Sequence, residues 1–227
     1  MKEIVRQFVI FGNFNSVTFE SVLKLNDLRE KYQLQVNAMP EIIEPPIDQP
    51  FKIQMTPPES RPVFQTANRK INVLFGTKRI HIEEVECESE TYKVFNQMAI
   101  DIICEIVKSL ELKVNRIAIN GQLFCDNLET INKAFETLFN KSKLYSGNSE
   151  DWQCRVCSKE ILPKLGCEIN KIAQYVRGEF LDNVKKTQNG LIASYDYNTK
   201  NGIEKLFTES DIKVFNESAQ KYRALFI

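Results

Sequence analysis

Hydrophobic and polar positions along this chain follow two different periods, which predict strands and helices in turn. Glu3 to Phe11 alternates and then becomes wholly apolar, as a strand entering a core does. Ile71 to Phe75 and Ile80 to Ile82 alternate on either side of Gly76-Thr77, which predicts a β-hairpin. Thr91 to Leu110 carries a wide apolar stripe at helical spacing and is the clearest helix in the chain.

Further helices and a strand are indicated in the second half. Leu112 to Asn120 alternates with a change of phase, which indicates a strand with a β-bulge. Asp126 with Glu129 has the spacing of a capping pair, and Thr208 with Asp211 repeats it, so each pair predicts the start of a helix.

Three more strands are predicted at Trp152 to Lys159, Cys167 to Phe180 and Leu191 to Tyr197. Gln188-Asn189-Gly190 has the composition of a hairpin turn between the last two. Because strands occur in clusters with helices between the clusters, we expect an α+β fold: a mostly antiparallel sheet with helices packed on one face. We expect residues 1–227 to form a single α+β domain.

Seven of the eight prolines lie between Pro40 and Pro62. Proline fixes its own φ and moves the residue before it toward extended geometry. Residues 40–62 are therefore predicted to be an extended crossing between two patterned regions, with Phe51 to Met55 as an edge strand. Such a crossing could expose a sheet edge to which a partner adds a strand.

Charge and composition narrow the class of protein. The 30 basic and 30 acidic residues balance, which argues against a general nucleic-acid binder, since phosphate contacts need a basic excess. No apolar run approaches the ~20 residues that span a bilayer, and the first residues lack a signal-peptide pattern. We therefore expect a cytoplasmic protein with reduced cysteines and no membrane association.

The cysteine spacing suggests a metal site that strand geometry disfavours. Cys154 and Cys157, with Cys167 ten residues later, are the candidate zinc ligands. Residues three apart in a strand point to opposite faces, so the first two would not converge. We expect buried structural thiols, no metal and no cofactor.

His81 is the only histidine, which limits the catalytic chemistry open to the chain. It lies between Ile80 and Ile82 and is expected to face solvent, with Glu83 beside it on the same face. The alternative to a non-catalytic role is an enzyme with a dispersed carboxylate site, for which the candidates are Glu83, Asp101, Glu105 and Asp196. A further alternation of Glu84, Glu86, Glu88 and Glu90 predicts a solvated strand end before the long helix.

Four basic residues bracket the predicted hairpin: Arg69, Lys70, Lys78 and Arg79. A basic loop near an aromatic side chain, here Phe75, can hold single-stranded nucleic acid. The 69–79 hairpin is therefore the candidate partner-binding surface for a nucleic-acid-associated alternative.

Three segments resemble an uncharacterised, sporadically distributed bacterial family of similar length. Arg116-Ile117-Ala118-Ile119-Asn120-Gly121 is similar to that family's mid-chain strand, Tyr195-Asp196-Tyr197-Asn198 to its late acidic strand, and Phe215 to Phe226 to its closing helix. The histidine usual in that helix is absent here. The resemblance implies a bacterial, cytoplasmic α+β protein and no particular activity.

The sequence thus favours a non-catalytic subunit or adaptor that binds a protein partner or self-associates. A single histidine and the lack of glycine-rich phosphate loops leave few ways to assemble a catalytic centre.

Overall fold

The computed structural model describes residues 1–41, 59–87, 92–139, 151–181, 187–200 and 205–226. These residues contain nine strands and four α-helices, with a short 3₁₀ helix at Ser21–Leu25. The strands are β1 (Lys2–Gly12), β2 (Gln35–Glu41), β3 (Glu59–Gln65), β4 (Ile71–Phe75), β5 (Arg79–Val85), β6 (Val114–Cys125), β7 (Trp152–Leu162), β8 (Cys167–Leu181) and β9 (Thr187–Thr199). The helices are α1 (Asn26–Lys31), α2 (Tyr92–Ser109), α3 (Leu128–Phe139) and α4 (Glu209–Arg223).

The strands form one antiparallel sheet in the order β2-β3-β4-β5-β1-β6-β9-β8-β7. The first strand of the chain lies near the middle, paired with β5 on one side and β6 on the other. The predicted α+β fold with a mostly antiparallel sheet is confirmed.

The described helices cover one face of this sheet. Phe8 of β1 and Ile117 of β6 pack in one core with Ile103 of α2 and Phe215 of α4. At the far end, α3 contributes Ile131 to a second cluster with Cys125 and Leu191, with Trp152 of β7 beside them. Because β6 alternates, Cys125 points to the same face as Ile117, so α3 lies on the side of the other helices.

The apolar stripe of the long helix and one predicted cap are confirmed. Ile102, Ile103 and Ile106 of α2 are fully buried. At the start of α4, the Thr208 hydroxyl accepts a hydrogen bond from the Asp211 backbone N–H at 3.3 Å, and the Asp211 carboxylate accepts one from the Thr208 N–H at 2.9 Å. This reciprocal capping box fixes where the helix begins.

The bulge predicted in β6 is also confirmed. Phe11 pairs with Arg116 but the next residue, Gly12, pairs with Val114, so Asn115 is the extra residue. The strand is longer than expected, continuing through Gly121 to Cys125. The three later strands are likewise confirmed and extend beyond their predicted ends.

Two local predictions are wrong. Gln188-Asn189-Gly190 is no turn; it lies within β9 and pairs with Gly178 to Phe180 of β8. The glycine serves close packing instead, because a Cβ on Gly190 would lie 2.3 Å from the Phe124 ring. The cap of α3 is Asn127 rather than Asp126, since its Oδ1 accepts a hydrogen bond from the Thr130 N–H at 2.9 Å.

The ends of the proline segment belong to paired strands. Pro40 lies in β2 and pairs with Ser60, and Pro62 lies in β3 opposite Ala38. A proline in β2 suits its position at the sheet edge, where a missing N–H disrupts no further pairing. Residues 42–58, with the predicted edge strand at Phe51 to Met55, lie outside the described residues.

None of the helices in the described ranges is long and apolar enough to cross a membrane.

Candidate functional site

The sheet face opposite the helices, which we call the open face, carries a line of polar side chains across the strands. Strand pairing places these residues side by side from β3 to β9: Gln65, Asn72, Glu83, Gln7, Asn120 and Asp196. We call this set the polar row. No two neighbours in the row are adjacent in sequence, so only the strand order assembles it.

The half of the polar row nearest β3 is internally hydrogen-bonded. Gln65 Nε2 donates to Asn72 Oδ1 at 2.8 Å, and Asn72 Nδ2 donates to Glu83 Oε1 at 3.2 Å. Gln7 Nε2 donates to the other Glu83 oxygen at 3.0 Å. The Glu83 carboxylate is therefore held in place by two amides from its neighbouring strands.

The other half of the row opens into a cleft of about 330 Å³. Asn120, Gln122, Arg155, Ile172, Gln174, Ser194 and Asp196 line this open-face cleft with their side chains, and Gly121 and Tyr195 line it with their backbone. Within the described ranges, the amides of Asn120, Gln122 and Gln174 make no hydrogen bond to another side chain. The cleft thus presents donors and acceptors that are available to a ligand.

Asp196 is the acid of the cleft. Its Oδ1 is buried and has no hydrogen-bond partner among the described residues. Burial raises the pKa of this carboxyl above its usual value, although Asn198, Arg116 and Arg155 act in the opposite direction. A buried carboxylate oxygen without a donor is costly.

The helix-covered face holds a second polar feature, a buried ion cluster of Glu3, Arg6, Glu84 and Arg223. Arg223 binds both Glu3 oxygens, with Nη2–Oε2 at 2.6 Å and Nε–Oε1 at 3.1 Å. Arg6 binds Glu84 through Nε at 2.6 Å and through Nη2, and reaches Glu3 at 3.3 Å. Two acids and two bases balance, so the cluster can be buried without net charge.

Tyr195 of β9, two strands away from β1 on the same face, completes this cluster. Its hydroxyl donates to Glu3 Oε1 at 2.7 Å. The ring passes over Gly121, where a Cβ would lie 2.5 Å from the Tyr195 hydroxyl. Arg223 also stacks on Tyr92, with Cζ 3.2 Å from the ring centroid. Every charged group in the cluster has a partner, and the contacts between Glu3 and Arg223 link β1 to α4.

Sequence reasoning missed the buried ion cluster, and it was wrong about Glu84. The alternation of Glu84, Glu86, Glu88 and Glu90 predicted a solvated strand end. Glu86 is exposed as predicted, but Glu84 is only 6% exposed, and Glu88 and Glu90 lie outside the described residues. Glu3 and Arg6, three apart, belong on opposite faces of a regular strand. A register shift between Glu3 and Val5 brings them to the same face, and no local signal in the sequence marks it.

The cysteine candidates do not come together. In β7, Cys154 pairs with Tyr175 on the helix side, whereas Cys157 pairs with Ile172 on the open face. Cys167 is buried at the other end of β8, opposite Leu162. The described residues contain no group of three His, Cys, Asp or Glu side chains that could hold a metal ion. The expectation of buried thiols is confirmed for four cysteines but is wrong for Cys157, which is exposed on the open face, and Cys154 is only half-buried.

The solvent-facing position predicted for His81 is wrong. Its side chain points to the open face but is buried, between Val9 of β1 and Leu74 of β4 in the strand pairing. Burial, with a smaller effect of Arg79, lowers its pKa to about 4. Nε2 lies 3.9 Å from Glu83 Oε2, and Nδ1 has no hydrogen-bond partner among the described residues.

The remaining candidates are spread over the molecule. Arg69 and Lys70 precede β4, whereas Lys78 and Arg79 follow it, so the two basic pairs lie at opposite ends of that strand. The candidate acids are divided as well: Glu83 and Asp196 lie on the open face, and Asp101 and Glu105 lie on α2.

The two α2 acids have local partners. Asp101 accepts hydrogen bonds from Tyr32 at 3.0 Å and Gln97 at 2.9 Å. Glu105 accepts one from Ser109 at 2.5 Å. Neither faces the open-face cleft, so a site that combines all four candidate acids is not formed.

One edge of the sheet is long and exposed. β7 pairs with β8 in an unbroken register from Trp152 to Leu162, without a bulge or a proline. Val156 and Ile161 are 51% and 73% exposed, respectively. In the sheet of described strands, its outer backbone edge faces no further strand.

No protein-family model matches this chain. A search of curated proteins finds no significant relative either.

Proposed function

We propose that this protein is a non-catalytic interaction subunit of a bacterial cytoplasmic complex, and that its partner adds a strand along β7. The observation that carries the proposal is the exposed edge of β7, 11 residues long and regular throughout. The resemblance of three segments in the second half of the chain to an uncharacterised bacterial family supports the bacterial and cytoplasmic setting.

A regular edge strand presents a row of backbone N–H and C=O groups that another chain can pair with. Proteins usually protect such edges with prolines, bulges or a short length. The opposite edge, β2, contains Pro40, whereas β7 contains no such interruption. At about 3.3 Å per residue, β7 offers an edge of about 36 Å.

The side chains of β7 would give the pairing its specificity. Strand addition takes affinity from backbone hydrogen bonds and selectivity from alternate side chains. Cys154 and Val156 point to the helix side, and Arg155 and Cys157 to the open face. A partner strand would therefore meet an apolar line on one side and a basic residue with a thiol on the other.

The test removes one outward-pointing donor from β7. Backbone N–H groups alternate in direction along an edge strand, so either Val156→Pro or Cys157→Pro removes an N–H that does not pair with β8. The variant that keeps the wild-type melting temperature identifies the outward position. Ala38→Pro or Met39→Pro, selected in the same way on β2, is the matched control.

Each variant is used as bait in extracts of the native host, and its mass in isolation is measured by light scattering. We expect a protein, or a second copy of the chain, to associate with the wild type and the β2 control but not with the β7 variant. Equal recovery with both variants, or a monomer that recovers nothing, would refute the proposal.

A further inference from the structure

The open-face cleft lies beside the β7 edge and shares Arg155 with it, and we propose that it binds a small, neutral, polyhydroxylated ligand such as a monosaccharide. Its volume of about 330 Å³ lies at the lower end of the ~300–1,000 Å³ typical of small-molecule sites. Two neighbouring rows of the sheet form its floor.

Strand pairing sets the geometry of this floor. One row runs from Asn120 through Asp196 to Ile172, and the other from Gln122 through Ser194 to Gln174 and Arg155. The side chains come from β6, β9, β8 and β7, which are central or paired strands rather than loops. Polar groups on such elements are positioned before a ligand arrives, which lowers the entropy cost of binding.

The mixture of donors and acceptors favours hydroxyl groups. A hydroxyl both donates and accepts, so it needs donors and acceptors close together. Each amide of Asn120, Gln122 and Gln174 supplies one of each kind, and Ser194 supplies a hydroxyl. The carboxylate of Asp196, which also lines the cleft, supplies an acceptor for one ligand hydroxyl.

The charge and the lining exclude other classes of ligand. Arg155 and Asp196 both line the cleft and their charges balance, so its side chains carry no positive excess of the kind that phosphate recognition needs. Among the described residues, Ile172 is the one apolar side chain in the lining, and no aromatic side chain points into the cleft. An apolar ligand or a stacked nucleobase would therefore find little surface to cover.

The test is a titration followed by two-dimensional ¹H–¹⁵N NMR of the isotope-labelled full chain. The probes are a panel of neutral hexoses, pentoses and inositols, with inorganic phosphate as a charged comparison. We expect saturable shifts at backbone amides of β6, β8 and β9 with at least one polyol. Asp196→Asn and Gln174→Ala should each weaken that binding about tenfold, as the loss of one or two hydrogen bonds does.

Gln35→Ala is the matched control, since Gln35 is an exposed amide on the same face in β2. It should leave the affinity unchanged, and the spectra themselves show whether each variant is folded. The proposal is overturned if no polyol in the panel gives saturable shifts. Shifts confined to other strands, a stronger response to phosphate, or an equal loss with Gln35→Ala would overturn it too.

Discussion

His81 makes the stability of this protein depend on pH in a way that can be calculated. In the folded chain its pKa is lowered to about 4, chiefly because its imidazole is buried, and also because Arg79 repels the charged form. Glu83 Oε2 lies 3.9 Å from the His81 Nε2, but both Glu83 oxygens already accept hydrogen bonds from amides. The unfolded chain has a histidine with an ordinary pKa of about 6.5.

The sign follows from where the proton binds. Below pH 6.5 His81 becomes protonated in the unfolded state, whereas in the folded state it stays neutral down to about pH 4. Acid therefore favours unfolding over that interval. The contribution of His81 is present above pH 6.5 and falls by about 1.4 kcal/mol at pH 5.5. At pH 4 the loss is about 3 kcal/mol, a large part of the 5–15 kcal/mol typical of a domain.

The assay combines titration with unfolding. Because His81 is the only histidine, its ring proton signal in ¹H NMR can be followed without assignment. Urea unfolding of the wild type and of His81→Leu at pH 7.5 and pH 5.5 isolates its contribution, since other groups cancel in the comparison. Leucine suits the site because Val9 and Leu74 flank it.

We expect the stability difference between wild type and variant to shift by about 1.4 kcal/mol between the two pH values. The reasoning would be refuted by a His81 signal that titrates at pH 6 or above, or by parallel losses of stability in both proteins.

Three further outcomes are expected. Gly121→Ala should destabilise the fold by about 1–3 kcal/mol in urea, because its Cβ would overlap the tyrosine hydroxyl at 2.5 Å. Gly178→Ala, with its nearest atom at 3.8 Å, should not, and equal effects would contradict the packing argument. Glu3→Gln removes a countercharge from two buried arginines and should lower the free energy of unfolding by about 3–5 kcal/mol in the same assay. A loss below about 1 kcal/mol would show that the ion cluster is dispensable. Cys157 should react with a thiol reagent in the folded protein, while Cys87, with its pKa raised to about 12 by burial, should react only on unfolding; comparable rates for both would count against this placement.

Periodicity predicted the elements that depend on a continuous stripe of apolar residues. The helix α2 and the hairpin of β4 and β5 each follow from a local pattern, because burial of one face dictates the spacing. The bulge at Asn115 could be predicted for the same reason, since it interrupts the alternation of buried positions. The turn at Gly190 was predicted from composition alone, because Asn-Gly is typical of hairpin turns. The strand in fact continues through Gly190, and no local pattern marks that.

The candidate site could be predicted only in part. Glu83 and Asp196 were singled out in the sequence, but their membership of one row depends on β1 and β6 lying between them. Strand order depends on pairings between distant residues, so no local pattern in the sequence reveals it. The burial of His81 has the same origin, because a residue between two isoleucines is exposed or covered according to what the neighbouring strands supply.

The contact between Glu3 and Arg223 joins positions 220 residues apart and therefore constrains how the chain is made. During translation β1 emerges before α4, so Glu3 has only Arg6 as a countercharge until Arg223 has left the ribosome. Structures rich in such distant pairings fold slowly and expose apolar surface meanwhile. Nascent chains halted before the codon for Arg223 should consequently stay protease-sensitive and depend on chaperones, however much of the sheet has already been synthesised.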